Sequence, residues 1–258
     1  MEMEKQRWKK IFGNCINLVC LGTLLFSVYR LVPIFYDYYT NRKVLAEIQD
    51  VYQANQKEKK VDEENKDGTI RPVFTELLQI NKDIVGWIEV PDTLISYPIL
   101  QSDNNEFYLS KNYRKENSRA GSIFMDYRND VKNMGKNTIL YGHRMKDQSM
   151  FAQLNKYLDS AFFERHRMIY FDTLYERYDA EIFSVYTTTT DFYYIETDFS
   201  SDQDFLTFIQ QVKDRSLYQT AVEIGPTDKI ITLSTCDYSY PGNEGRLVVH
   251  AKLIKHQP

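Results

Sequence analysis

Cysteine is scarce in this chain, and charge is distributed in ways that rule out several functions. Among 258 residues only three are cysteines. Cys15 and Cys20 lie close together, and Cys236 stands far from both. Basic residues form no block: 32 lysines and arginines against 36 acidic residues leave a net charge of −4. Nucleic-acid binding needs a concentrated positive footprint, so it is excluded as a partner class. Acidic residues do not fall at calcium-loop spacing, so no metal site and no cofactor is expected.

One stretch lacks charge altogether. "IFGNCINLVCLGTLLFSVY", residues 11–29, has 19 residues without a charged side chain. That is close to the roughly 20 a helix needs to cross a bilayer. Lys5, Arg7, Lys9 and Lys10 precede it, so the amino terminus is expected to stay in the cytoplasm and the rest of the chain to lie outside. A cleaved signal peptide is the competing reading. It is disfavoured because no small-x-small site follows, and "RLVPIFYDYY" is bulky where a peptidase wants small residues. The expected organisation is a cytoplasmic stretch 1–10, a single-pass anchor 11–36, an extracytoplasmic helix with a charged linker at 37–70, and a catalytic domain at 71–258. Within 37–70, "VLAEIQDVYQ" (44–53) has apolar residues at helical spacing. "KEKKVDEENKD" (57–67) has nine charged residues in eleven and reads as a solvated linker or a frayed helix end.

With 43% hydrophobic and 14% aromatic residues, the remainder can bury one sizeable core. Eight short runs of β-branched and aromatic residues recur at 84–90, 94–100, 121–127, 137–143, 168–173, 178–189, 229–236 and 246–254. Punctuated by Pro, Gly, Asn and Asp, they predict a mostly antiparallel sheet that closes or nearly closes. Helical patterns intrude at 72–80, 148–158 and 200–216, the last with Phe205, Phe208, Ile209 and Val212 on one face behind a serine cap. The predicted fold class is mostly β: an eight-stranded barrel decorated with helices, with an N-terminal helical extension and a transmembrane anchor.

If the domain is exported, Cys236 has no cysteine to pair with. Such a thiol is either a small buried hydrophobe or a reactive group. Cysteine catalysis needs a neighbour that holds a proton or a positive charge, because an ordinary thiol is only a few per cent thiolate at neutral pH. Of four histidines, His256 lies in the terminal tail, His166 sits among charges before a strand, and His250 alternates within a strand of which one face is core. His143 ends the strand "NTILYGH", beside a glycine that lets the backbone turn. It could meet Cys236 across one rim. Arg246 begins the strand after Cys236, beyond nine residues of turn chemistry, "DYSYPGNEG". It is a candidate donor to an oxyanion, a role worth about 3 kcal/mol per donor.

"TLSTC" (232–236), with an arginine ten positions on and "YGH" ahead of both, resembles the sortase signature, that of the cysteine transpeptidases of Gram-positive cell surfaces. The resemblance covers about residues 72–254. The helix before the first strand, "MDYRND", "YGHRM" and the helix-bearing insert before the seventh strand look like class B sortases. The resemblance implies that Cys236 is the nucleophile that attacks the threonine carbonyl of a sorting motif, NPQTN-like in class B. It makes His143 the acid/base and Arg246 the donor to the carbonyl or oxyanion. It implies a substrate groove at Asn105, Leu109, Thr190, Tyr194, Ile195 and Ser234, and a role for Asp237 either in orienting Arg246 or, preferably, in capping the turn. The implied partners are exported surface proteins bearing the motif and an amine of a lipid II-type peptidoglycan precursor, with no calcium requirement. Two other readings stand beside it: a cysteine peptidase with water as acceptor, and a non-enzymatic surface module whose cysteine is inert.

Overall fold

The structure, a computed structural model, describes residues 1–58, 68–236 and 244–256, with Lys10, Glu58 and Cys236 described by their backbone. Most of the charged stretch expected to be a solvated linker, and most of the turn after Cys236 including Asp237, lie outside the described residues. The chain divides into two compact units, Met1–Lys43 and Val44–Pro258. One helix, α1 (Glu2–Glu58), contributes to both. Its apolar part is long enough and apolar enough to cross a membrane, and none of that window is buried.

Strands form where β-branched and aromatic residues alternate in short runs. They are β1 (Ile84–Glu89), β2 (Ser96–Leu100), β3 (Ile123–Met125), β4 (Asn137–Tyr141), β5 (Met168–Thr173), β6 (Arg177–Thr188), β7 (Ile230–Cys236) and β8 (Arg246–Lys255). They close into a barrel in the order β1-β2-β3-β4-β7-β8-β6-β5. Six neighbouring pairs are antiparallel, while β2/β3 and β4/β7 are parallel. The eight expected strands are all present, though β3 has only three residues. Ile88, Leu140, Ile231, Leu233, Leu247 and Val249 belong to one buried cluster that forms the core.

Helices cover the outside. Residues 72–80 form a 3₁₀ turn and then α2 (Thr75–Ile80). Residues Phe151–Leu158 wind as a 3₁₀ helix, so the helical pattern at 148–158 is not an α-helix. Asp159, extended at its end, accepts a hydrogen bond from the Phe162 amide and starts a separate helix, α3 (Ser160–Arg165). α4 (Asp202–Asp214) is capped by Ser201 and buries Phe205, Phe208, Ile209 and Val212, the face read from the sequence. Residues 44–58 of α1 also pack on the barrel. Tyr52 stacks on Trp87 at 3.9 Å between ring centroids and donates to Asp172 at 2.7 Å.

Beneath α4 the barrel wall carries a buried polar chain. Tyr186, His250, Thr232 and Asn137, on β6, β8, β7 and β4, are each at most 1% exposed. The Thr232 hydroxyl donates to Asn137 Oδ1 (2.7 Å), so His250 Nδ1 must donate to Thr232 Oγ1 (2.8 Å). His250 Nε2 then accepts from the Tyr186 hydroxyl (2.8 Å). Asn137 Nδ2 continues the chain to the Glu196 carbonyl (2.8 Å). Every member is satisfied by a neutral imidazole, and burial pushes the His250 pKa from 6.5 down to about 3. Below about pH 6.5 the unfolded chain therefore takes up a proton that the native state refuses, and stability falls as pH drops toward 3. Denaturant midpoints measured between pH 7 and pH 4 should decline, with His250 contributing up to about 1.4 kcal/mol per pH unit. His250→Gln, which cannot titrate, should flatten that contribution; an identical slope in wild type and variant would contradict it.

Candidate active site

The ends of four strands meet at one rim of the barrel. β4 and β7 run parallel with Tyr141 opposite Ser234, and the Gly142 amide donates to the Ser234 carbonyl at 3.2 Å. His143 and Cys236 each lie two residues beyond that rung, at the same level of the parallel ladder. β7 and β8 are antiparallel, and their last paired rung is Cys236 with Arg246. Arg246 is also paired with Thr188, at the end of β6. The barrel's register thus brings position 143 to the same edge as positions 236 and 246, some ninety residues or more further along the chain.

The His143 ring is held by a backbone carbonyl. Its Nε2 lies 2.7 Å from the oxygen of Leu109, and a carbonyl can only accept, so Nε2 carries hydrogen in this arrangement. Nδ1 is then the nitrogen left to exchange a proton with a reacting group. Leu109 closes a 3₁₀ turn, Phe107–Leu109. Gly121 backs this turn with φ +58, and a Cβ at that position would stand 2.6 Å from the Leu109 oxygen. Gly142 is tightly packed too, since a Cβ there would meet Ile123 and Phe151 side-chain atoms at 2.4 and 2.8 Å. The Phe151 amide donates to the His143 carbonyl (3.0 Å). Two positions without side chains therefore allow the imidazole and its carbonyl partner to approach.

Arg246 is half-buried, and its NH1 donates to the Gly245 carbonyl at 2.8 Å. Ser234, 3% exposed, shares a 2.8 Å hydrogen bond with the hydroxyl of Tyr194, 5% exposed. Ile195 is half-buried, while Thr190 and Leu109 are exposed. Asn105 uses both ends of its amide: Nδ2 donates to Asp126 Oδ2 (3.0 Å) and Oδ1 accepts from the Tyr127 amide (3.0 Å). Its Nδ2 bears a second hydrogen that could serve a ligand.

The other histidines have structural partners. His250 belongs to the buried chain beneath α4. His166 stacks on Phe162 and lies 2.8 Å from Asp92, and His256 in the tail lies 2.9 Å from Asp179. Among the described residues no group of three or more His, Cys, Asp or Glu side chains is arranged to hold a metal ion.

Sequence reasoning missed Asp126 and Arg128, which lie within the quoted "MDYRND" without having been assigned a role. Asp126 is fully buried. Burial alone would push its pKa up, but hydrogen bonds from the Arg128 side chain and backbone, Tyr141 and Asn105 outweigh this and hold the carboxyl below its usual range. An Asp and Arg two residues apart, just after a strand, were the only available signal, and that spacing is common in turns.

Comparison with known proteins gives a consistent picture. A family profile described as the Sortase domain matches residues 88–254. The chain is 45% identical to Sortase B of Listeria monocytogenes over 246 residues, covering 95% of this chain and 98% of that protein. The crystal structure of sortase B from B. anthracis in complex with AAEK2 superposes with a TM-score of 0.78 at 57% identity, covering 85% of this chain and 98% of the other. A Staphylococcus aureus sortase B-substrate complex gives 0.78 at 41% identity, covering 86% and 99%.

The Gly121 geometry makes a direct prediction. Gly121→Ala should displace the Leu109 carbonyl and free the imidazole. In nitrogen-15 spectra of the His143 ring, wild type should show hydrogen on Nε2, and the variant a mixture of tautomers. An unchanged Nε2–H signal in the variant would show that Gly121 does not set this contact.

Proposed function

The chain belongs to the sortase family of cysteine transpeptidases, in its class B, and we propose that Cys236, His143 and Arg246 are its catalytic residues, acting on an NPQTN-like sorting motif of exported proteins. The observation that carries this reading is the register at the rim, where the last β7/β8 rung pairs Cys236 with Arg246 and the parallel β4/β7 ladder leads His143 to the same level.

The reaction begins when the His143 Nδ1 takes the thiol proton and the sulfur attacks the threonine carbonyl carbon, forming a carbon–sulfur bond and an oxyanion. The Arg246 guanidinium, with its planar fork of donors, is suited to that oxyanion. The tetrahedral adduct collapses by breaking the carbon–nitrogen bond, and the imidazolium returns its proton to the departing amine. A thioacyl enzyme remains. An amine of a lipid II-type peptidoglycan precursor attacks it, forms a new amide and releases the thiol. The Nε2–H bond to Leu109 supports this assignment because it holds one tautomer and directs proton traffic to the other nitrogen.

Asn105, Leu109, Thr190, Tyr194, Ile195 and Ser234 are the proposed groove. They belong to the segment before the 107–109 turn, the turn itself, the stretch after β6, and β7. In this reading residues 11–36 anchor the protein in the cell membrane with residues 1–10 in the cytoplasm, and the domain 71–258 works outside. The basic flank before the uncharged run supports that orientation.

Two substitutions test the assignment. Cys236→Ala should abolish the thioacyl adduct seen by mass spectrometry when wild type is mixed with a sorting-motif peptide; turnover surviving in the variant would refute the nucleophile. Arg246→Lys should lower kcat by about a hundredfold, because a point charge does not replace the fork. Near-normal turnover there would leave Arg246 a structural role only. Supplying an amine should convert the product from the free acid to the amide, and hydrolysis alone at saturating amine would favour a peptidase.

A further inference from the structure

Asp126 lies behind the proposed groove, bonded to its Asn105, although no catalytic role requires a carboxylate there. It is fully buried. Arg128 grips it with two parallel bonds, Nε to Oδ1 and NH2 to Oδ2, both 2.8 Å. The same carboxylate accepts from the Tyr141 hydroxyl on β4 at 2.8 Å and from Asn105 Nδ2 at 3.0 Å. The remaining donors of Arg128 point away from Asp126: NH1 reaches the Tyr193 hydroxyl and NH2 the Ile195 carbonyl, each at 2.9 Å. One ion pair therefore touches the segment carrying Asn105, the strand that leads to His143, and the segment carrying Tyr194 and Ile195.

We infer that Asp126 and Arg128 form a strut that positions the two walls of the peptide groove relative to each other and to the strand bearing the acid/base. The inference rests on the proposed assignment of this rim as the sorting-motif site. Its physical basis is the geometry of the guanidinium: a planar fork can satisfy a carboxylate in bidentate fashion and still present N–H groups to two further acceptors. Lysine, with one compact ammonium, cannot span those positions. A peptide binding to walls already held in place loses less freedom than one that must order them itself. The strut therefore acts on binding. Asp126 and Arg128 are positioning residues, and the chemical step is left to Cys236, His143 and Arg246.

The test compares full-length wild type with Arg128→Lys and Tyr193→Phe. The second variant removes only the outer contact, from a side chain that is 53% exposed, and leaves the buried pair intact. Arg128→Lys should raise KM for the sorting-motif peptide about tenfold, the equivalent of about 1.4 kcal/mol, with kcat within about threefold of wild type. Tyr193→Phe should raise KM about threefold. Alkylation of Cys236 by a small thiol reagent, which needs no groove, should proceed at the wild-type rate in both. Hydrogen exchange, which needs no turnover, should be faster in segments 102–109 and 190–197 of Arg128→Lys, and in 190–197 of Tyr193→Phe. Unchanged KM and unchanged protection in both variants would overturn the strut. So would a parallel fall of kcat, alkylation rate and melting temperature, which is the pattern of general destabilisation. If Arg128→Lys does not fold, Tyr193→Phe decides alone on the same readouts. A wild type that forms no thioacyl adduct refutes the proposed chemistry; a wild type that turns over beside unaffected variants refutes the strut only.

Discussion

Three strands bring the proposed catalytic residues to one edge by a single constraint of register. β7 lies between β4 on one side and β8 on the other, parallel to the first and antiparallel to the second. A parallel partner ends at the same edge as its neighbour, while an antiparallel partner begins there. The segment after β4, the last residue of β7 and the first of β8 are thereby brought to one rim. Because side chains alternate across a strand, a slip of one residue in either ladder would exchange the core and outer faces. Leu140, Leu233 and Val249 in the barrel core hold the register against such a slip, so the site inherits its precision from the packing beneath it.

Below that rim, polar groups lie deep in the barrel wall. Tyr186, His250, Thr232 and Asn137 cross four strands under α4 and end on the Glu196 carbonyl. The Ser234 and Tyr194 hydroxyls meet two residues further along β7, and Arg128 reaches Tyr193 and Ile195. Residues 193–196 are thus held through four consecutive positions by side chains from the barrel and the 126–128 turn. Two carbonyls of this segment without regular secondary structure, those of Ile195 and Glu196, are satisfied this way, and the hydroxyls of Tyr193 and Tyr194 tie its side chains down.

Backbone space matters as much as side-chain chemistry. The imidazole of His143 meets the Leu109 carbonyl because Gly121 leaves room behind that carbonyl, and Gly142 lets the turn after β4 lie against Phe151. Each glycine leaves room for the packing that fixes the position of the His143 ring or its backbone.

Much of this protein was legible in its sequence. Alternating β-branched and aromatic runs marked eight strands, and a serine cap with four apolar residues at helical spacing marked α4, because these signals arise from the local periodicity of burial; the uncharged run at 11–29 marked the apolar part of α1 by its length and lack of charge. Cys236, His143 and Arg246 were singled out by residue chemistry and by family resemblance. Strand order, the two parallel pairs and the 3₁₀ winding of Phe151–Leu158 were not legible, since they depend on which distant segments share a core. Asp126, Arg128 and Gly121 were missed for the same reason: apart from each other, their partners lie 12 to 67 residues away in sequence, and nothing local distinguishes a strut or a spacer from an ordinary turn. The sequence by itself determined which chemical groups the protein possesses and which segments are extended as strands or carry helical patterns. Only the tertiary structure decided which groups meet, because that is set by closure of the barrel and by close packing between residues remote in the chain.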